Sequence, residues 1–152
     1  MRDATGETAM LVLVQGGDLV AVATAESPHP IRMALAHLGF HLPYLGSSAG
    51  RAVLSRQPDA EVRRALGVDA PAAELTEIAE ARRRGWARSL GDVFTDANTV
   101  AAPVVDSAGF PLGAMVVAAP AYRLTADQLD PVGELVRAAA DVLGAPPIRR
   151  PG

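Results

Sequence analysis

From Val100 to Pro120 two apolar runs, VAAPVVD and LGAMVVAAP, flank a short break at Ser107-Ala108-Gly109. Asp106 and Gly109 stand at the outer positions of a four-residue turn, where each is favoured. Gly109 can take the left-handed conformation that a short hairpin connection needs. The runs are too short for paired helices, so the pattern predicts a β-hairpin buried on at least one face. Met10–Val14 and Leu19–Ala25, separated by Gln15-Gly16-Gly17-Asp18, predict a second hairpin.

Between these hairpins the period changes. Pro28 and Pro30 interrupt the pattern, Ile31–Leu35 can resume as a strand, and a turn near Gly39 precedes Leu42-Pro43-Tyr44. Small residues from Ser47-Ser48 to Leu54 predict a short helix. Gln57-Pro58-Asp59 opens another, Ala60–Leu66, ended by Gly67. Glu74–Arg84 predicts a helix with Leu75, Ile78 and Ala79 on one face and a Glu80–Arg84 pair on the other, stopped by Gly85. Trp86–Ser89 reads as a strand. Thr125 caps a last helix through Leu143, with Leu129, Val132, Leu135, Val136 and Val142 as its apolar residues. Two strands, one or two more, a helical excursion, three strands and a closing helix make an α+β domain, a mostly antiparallel sheet with helices packed on it.

Composition narrows the function classes. The 152 residues suit one domain, and 49% hydrophobic content suits a packed core, which 4% aromatic content makes aliphatic. A net charge of −3 argues against a free-standing nucleic-acid binder. The absence of cysteine removes disulfides, thiol nucleophiles and thiolate metal sites. No apolar run reaches the roughly 20 residues of a membrane span, and the N-terminus lacks the basic start of a signal peptide. The expected compartment is the cytoplasm, with no membrane partner.

The pieces, taken together, resemble the effector-binding domain of the IclR family of bacterial transcriptional regulators. The matching residues are Gly6-Glu7-Thr8, Glu26-Ser27-Pro28-His29-Pro30-Ile31-Arg32 and the run from Gly46 to Leu54, GSSAGRAVL. They continue through Glu77-Ile78, Arg82–Ala87, Val100–Val104, Asp106–Gly109, Ala119-Pro120 and Arg123-Leu124-Thr125. The resemblance implies a GAF-like fold of about six strands over residues 8–144, after a lead at 1–7 and before a disordered tail at 145–152. It also implies a small-molecule effector and self-association as a dimer or tetramer. In the family a winged helix-turn-helix that reads the operator precedes this domain. The residues before Thr8 are too few to form one, so this chain is not itself expected to bind DNA. An excised domain, a truncated product and a stand-alone sensor all remain open.

The resemblance places Ser47, Ser48 and Ala49 against the effector, at a helix start whose N–H groups lack intrahelical partners. Read without it, the serines simply cap the helix. Thr99 stands where the family often has a cysteine, and Ser89 where it often has an acidic residue. Val116 and Ala118, which share a face by strand alternation, replace what can be hydroxyl residues. Leu42 completes the candidate set; an ordinary sheet interior explains the same residues. With Val116 and Ala118 apolar, a two- or three-carbon keto acid would be left short of polar contacts. The expected ligand is therefore an aromatic or longer aliphatic carboxylate. The alternative is an oligomerisation module with a vestigial, filled pocket.

Other motifs carry less. His37 and His41 are four apart, but Gly39 intervenes and no further ligand follows, so no metal is expected, nor any other cofactor. Arg82-Arg83-Arg84 reads as the solvated end of an amphipathic helix. No G-x-S-x-G motif accompanies Ser47-Ser48, and no catalytic residue is assigned.

Overall fold

The computed structural model of the chain describes residues 1–33 and 38–144. In chain order its elements are α1 (Arg2–Thr5), β1 (Thr8–Gln15), β2 (Asp18–Ala25), β3 (His41–Leu42), α2 (Ser48–Leu54) and α3 (Asp59–Leu66). They continue with α4 (Ala72–Arg84), β4 (Ala87–Leu90), β5 (Ala97–Val105), β6 (Pro111–Pro120) and α5 (Ala126–Gly144). The six strands form one antiparallel sheet in the order β3-β2-β1-β6-β5-β4. Both expected hairpins form. At the β5–β6 turn the Asp106 carboxylate accepts N–H bonds from Ala108 and Phe110, each 2.9 Å, while Gly109 takes φ 83°.

Strand alternation divides the interior into two layers. Met10, Val12, Val116 and Ala118 face α2, whereas Ala9, Val117, Ala119 and Val100 face α5. β5 and β6 are covered on both sides, which is why their sequences run apolar without a break. Leu129, Gly133, Val136 and Ala140 form the buried stripe of α5. Gly133 lies against Trp86, whose ring occupies the space a side chain there would need. Thr125 and Gln128 bond at the start of that helix, the Thr125 N–H donating to Gln128 Oε1 at 3.0 Å.

Several of the family-like residues are braces. Thr8 Oγ1 accepts the Ser27 N–H at 3.1 Å and donates to the Met33 carbonyl at 2.8 Å, while Ser27 Oγ donates to the Gly6 carbonyl. Arg123 grips Glu7 with two bonds of 2.6 and 2.9 Å, tying the entry to β1 to the entry to α5.

The structure corrects some expectations. Ile31 to Met33 form no strand; Ile31 lies at an exposed bend set by Pro28 and Pro30, and residues 34 and 35 fall outside the described residues. The third strand is instead the two-residue β3, paired with Leu19 and Val20. The lead contains the short helix α1. On α4, Ala79 is exposed and Glu74 and Ala81 join Ile78 in the interior. Glu80 pairs with Arg83, while the Arg84 guanidinium stacks 4.1 Å from the Trp86 ring centroid and donates to the Trp86 carbonyl. Leu135 and Val142 are exposed, because α5 meets the sheet through the stripe containing Gly133 and Ala140. The expected tail lies outside the described residues.

Candidate functional site

The start of α2 is built by small residues folded tightly on themselves. Gly46, at φ 82°, turns the chain into the helix. Ser47 caps it, accepting the Gly50 N–H at 2.9 Å and donating to the Pro43 carbonyl. A side chain at Gly50 would place its Cβ 2.2 Å from the Tyr44 carbonyl oxygen, so only glycine lets the 44–47 segment lie on the helix. The first helical residue, Ser48, then points into the sheet. Its Oγ lies 2.6 Å from Thr99 Oγ1, in a hydrogen bond where either can donate.

Around this pair lies a small cavity between α2 and the sheet. Leu42, Ser47, Ser48, Ala49, Ser89, Thr99 and Val116 line it, so seven of the eight residues expected at a site come together. Ala118 does not line it. It shares a face with Val116 but lies in register with Thr8 and Thr99, fully buried in the adjoining core. Met10, Val93, Phe94 and Ala97 complete the wall. Val93 and Phe94 went unread in the sequence, although two adjacent apolar residues in the polar stretch GDVFTD were a usable signal. Free space amounts to about 10 Å³ for the centre of a water, room for one water molecule.

A buried ion network holds the site. Arg51 on α2 forms a two-pronged pair with Glu74 on α4, at 2.9 and 2.6 Å, with both side chains almost fully buried. Its other nitrogen reaches the Arg88 carbonyl at 2.7 Å and Asp92 at 3.1 Å. Burial alone would weaken the Arg51 proton affinity, but hydrogen bonds and charge from Glu74 and then Asp92 outweigh it and push its pKa up. Glu74 Oε1 also accepts the Gly46 N–H at 3.0 Å. Ser89 Oγ donates to the Gly46 carbonyl at 2.7 Å. The turn before α2 is thus clamped from α4 and from β4.

Among the described residues no group of three His, Cys, Asp or Glu side chains could hold a metal. His41 stands 3.9 Å from Asp18 at the surface, and His37 lies outside the described residues. No described helix is long and apolar enough to cross a membrane.

The family model for the bacterial transcriptional regulator IclR C-terminal domain matches residues 1–145. The chain belongs to the IclR family. It is 32% identical over 148 residues to the HTH-type transcriptional repressor AllR of Klebsiella pneumoniae, covering 90% of this chain and 54% of the repressor. It is 29% identical to the protein named "Probable transcriptional regulator SauR" of Cupriavidus necator, across 91% of this chain and 59% of that protein. The chain therefore spans little more than half the length of the curated relatives it matches. A crystal structure of an IclR-family regulator from Silicibacter sp. TM1040 superposes with a TM-score of 0.81 at 29% identity, over 99% of this chain and 65% of that one. Another, from Rhodococcus sp., gives 0.80 at 28% identity, over 94% and 58%. These IclR relatives are named as regulators of transcription, not as enzymes, and the GAF-like α+β fold is theirs as well.

Proposed function

We propose that this IclR-family domain senses a small organic acid in the cavity beneath α2 and transmits its presence through the way copies of the domain associate. The observation that carries this reading is the Ser48–Thr99 pair. Ser47 spends its proton on the Pro43 carbonyl and Ser89 on the Gly46 carbonyl. Ser48 and Thr99 together use one proton in their mutual bond, leaving a second hydroxyl proton for an acceptor. A carboxylate oxygen is a strong acceptor for it.

The rest of the wall is apolar: Met10, Leu42, Phe94 and Val116. That suits an acid with an aromatic or aliphatic body, as binding sites usually combine an apolar lining with a few polar anchors. Association as a dimer or tetramer would convert occupancy into a signal if the acid favours one arrangement. DNA contact would belong to another part of a longer regulator, in keeping with the share of AllR that this chain covers.

One observation favours a second reading, an assembly module whose pocket is vestigial: the free space holds a single water. A thermal-shift panel of carboxylates, followed by calorimetric titration, separates the two, since a ligand stabilises by mass action. The sensing reading expects an aromatic or longer aliphatic acid to raise the melting temperature. Glyoxylate or pyruvate binding tighter than every such acid overturns the ligand class. A panel with no effect, on a chain that still self-associates, replaces sensing with assembly.

A further inference from the structure

If the cavity is a sensor site, its ligand needs more room than one water, and the walls differ in their capacity to give it. Most lining side chains stand on strands, on α2 or on its cap. Val93 and Phe94 alone among them are carried by the irregular connection between β4 and β5. That connection begins and ends on residues in left-handed conformation, Gly91 at φ 72° and Asp96 at φ 64°. Its base is closed by the Gly91 N–H to the Ala97 carbonyl at 3.0 Å. At its near end, Asp92 accepts bonds from Arg51 at 3.1 Å and from the Leu90 N–H at 3.3 Å. At its middle, the Phe94 ring lies half-buried with its centroid 6.4 Å from that of Phe40, the two planes tilted by 32°.

We propose that Phe94 determines the largest ligand the cavity accepts, and that the Arg51–Asp92 pair positions it by anchoring the connection. This rests on the sensing reading above and adds the residue that sets its size limit. Arg51 is held by Glu74 whatever the connection does, so it is a fixed post. Asp92 is half exposed, so water has access to its carboxylate if the connection moves away from Arg51. Displacing the connection removes one aromatic wall while the Ser48–Thr99 anchor, built on α2 and β5, stays in place.

The test uses this chain and three variants, Phe94→Ala, Phe94→Leu and Asp92→Asn, with straight-chain carboxylates from acetate to decanoate as probes. Circular dichroism and melting curves establish that each variant folds; Phe94→Leu, nearer in volume, serves if Phe94→Ala does not. The expected result is a longer maximum chain length in the variants, with affinity rising roughly fourfold for each further methylene admitted. Phe94→Ala should extend the limit further than Phe94→Leu. Asp92→Asn should extend it with the ring intact, through the anchor alone. Acid binding with one chain-length limit shared by all four proteins overturns the inference and leaves the sensing reading standing. If no protein binds any acid, the sensing reading fails, and xenon decides the remaining question. Xenon-induced methyl shifts at Val116 and Leu42 in Phe94→Ala but not in the parent chain support Phe94 as the filling wall; an identical response in both overturns it.

Discussion

The Ser48 and Thr99 hydroxyls lie 2.6 Å apart, joining the first residue of α2 to β5 beneath a wall of aliphatic side chains. The bond welds a helix to a sheet at the point where the proposed ligand would touch both. Thr99→Val keeps the shape and leaves the Ser48 hydroxyl buried without this partner. The expected loss is about 1–3 kcal/mol of stability, measured by urea denaturation, with Thr99→Ser close to the parent. A double variant with Ser48→Ala should lose less than the two single losses summed, since both report one bond.

Glu74→Gln is expected to be costlier. It leaves the Arg51 charge buried with one anionic partner in place of two, and removing half of a buried ion pair costs about 3–5 kcal/mol. Urea denaturation reads the loss. Because a Gln amide oxygen can still accept the Gly46 N–H, amide exchange at Gly46 should quicken in Glu74→Ala, which removes that acceptor, more than in Glu74→Gln.

Two glycines should respond to alanine for different reasons. Gly50→Ala drives a Cβ into the Tyr44 carbonyl, and overpacking of this kind costs about 1–3 kcal/mol or more. Gly109→Ala meets no atom and pays only for its left-handed backbone, about 1–2 kcal/mol. Crystal structures should show the 43–47 segment displaced in the first variant and an unchanged fold in the second.

Val116→Thr adds a hydroxyl to the apolar side of the cavity with little change in volume. On the sensing reading, the ratio of pyruvate to benzoate affinity should rise, measured by calorimetric titration. An unchanged ratio would separate Val116 from ligand choice.

The two hairpins and α5 were legible because their signals are local: a turn residue flanked by apolar runs, or a cap followed by an amphipathic period. The site was legible in its parts. Ser48, Thr99 and Val116 could be grouped through the family resemblance, and the fold brings them to one cavity. Ala118 does not line the cavity although its strand partner Thr99 does, since alternation gives the face of a residue but not whether a short side chain there reaches the open space. The sequence marks Glu74 only as the first residue of an amphipathic helix, because burial of its carboxylate depends on Arg51, 23 positions earlier. β3 went unread, since two residues carry no period. Leu135 and Val142 looked like core because hydrophobicity marks a candidate face, whereas Gly133 and Ala140 let α5 lie close to its neighbours.

The pairing of β1 with β6 has a kinetic consequence. Leu13 meets Gly113 there, about a hundred positions along the chain, and contacts of such separation are the slow ones to form. Each hairpin can close on its own turn, but the seam between them must wait for the chain to bridge that distance. Met10 stands on one side of the seam, and Thr99 and Val116 on the other. The cavity is therefore expected to form late, since neither half of the sheet alone supplies all its walls, and on the sensing reading a chain that has not closed its seam has no site for a ligand.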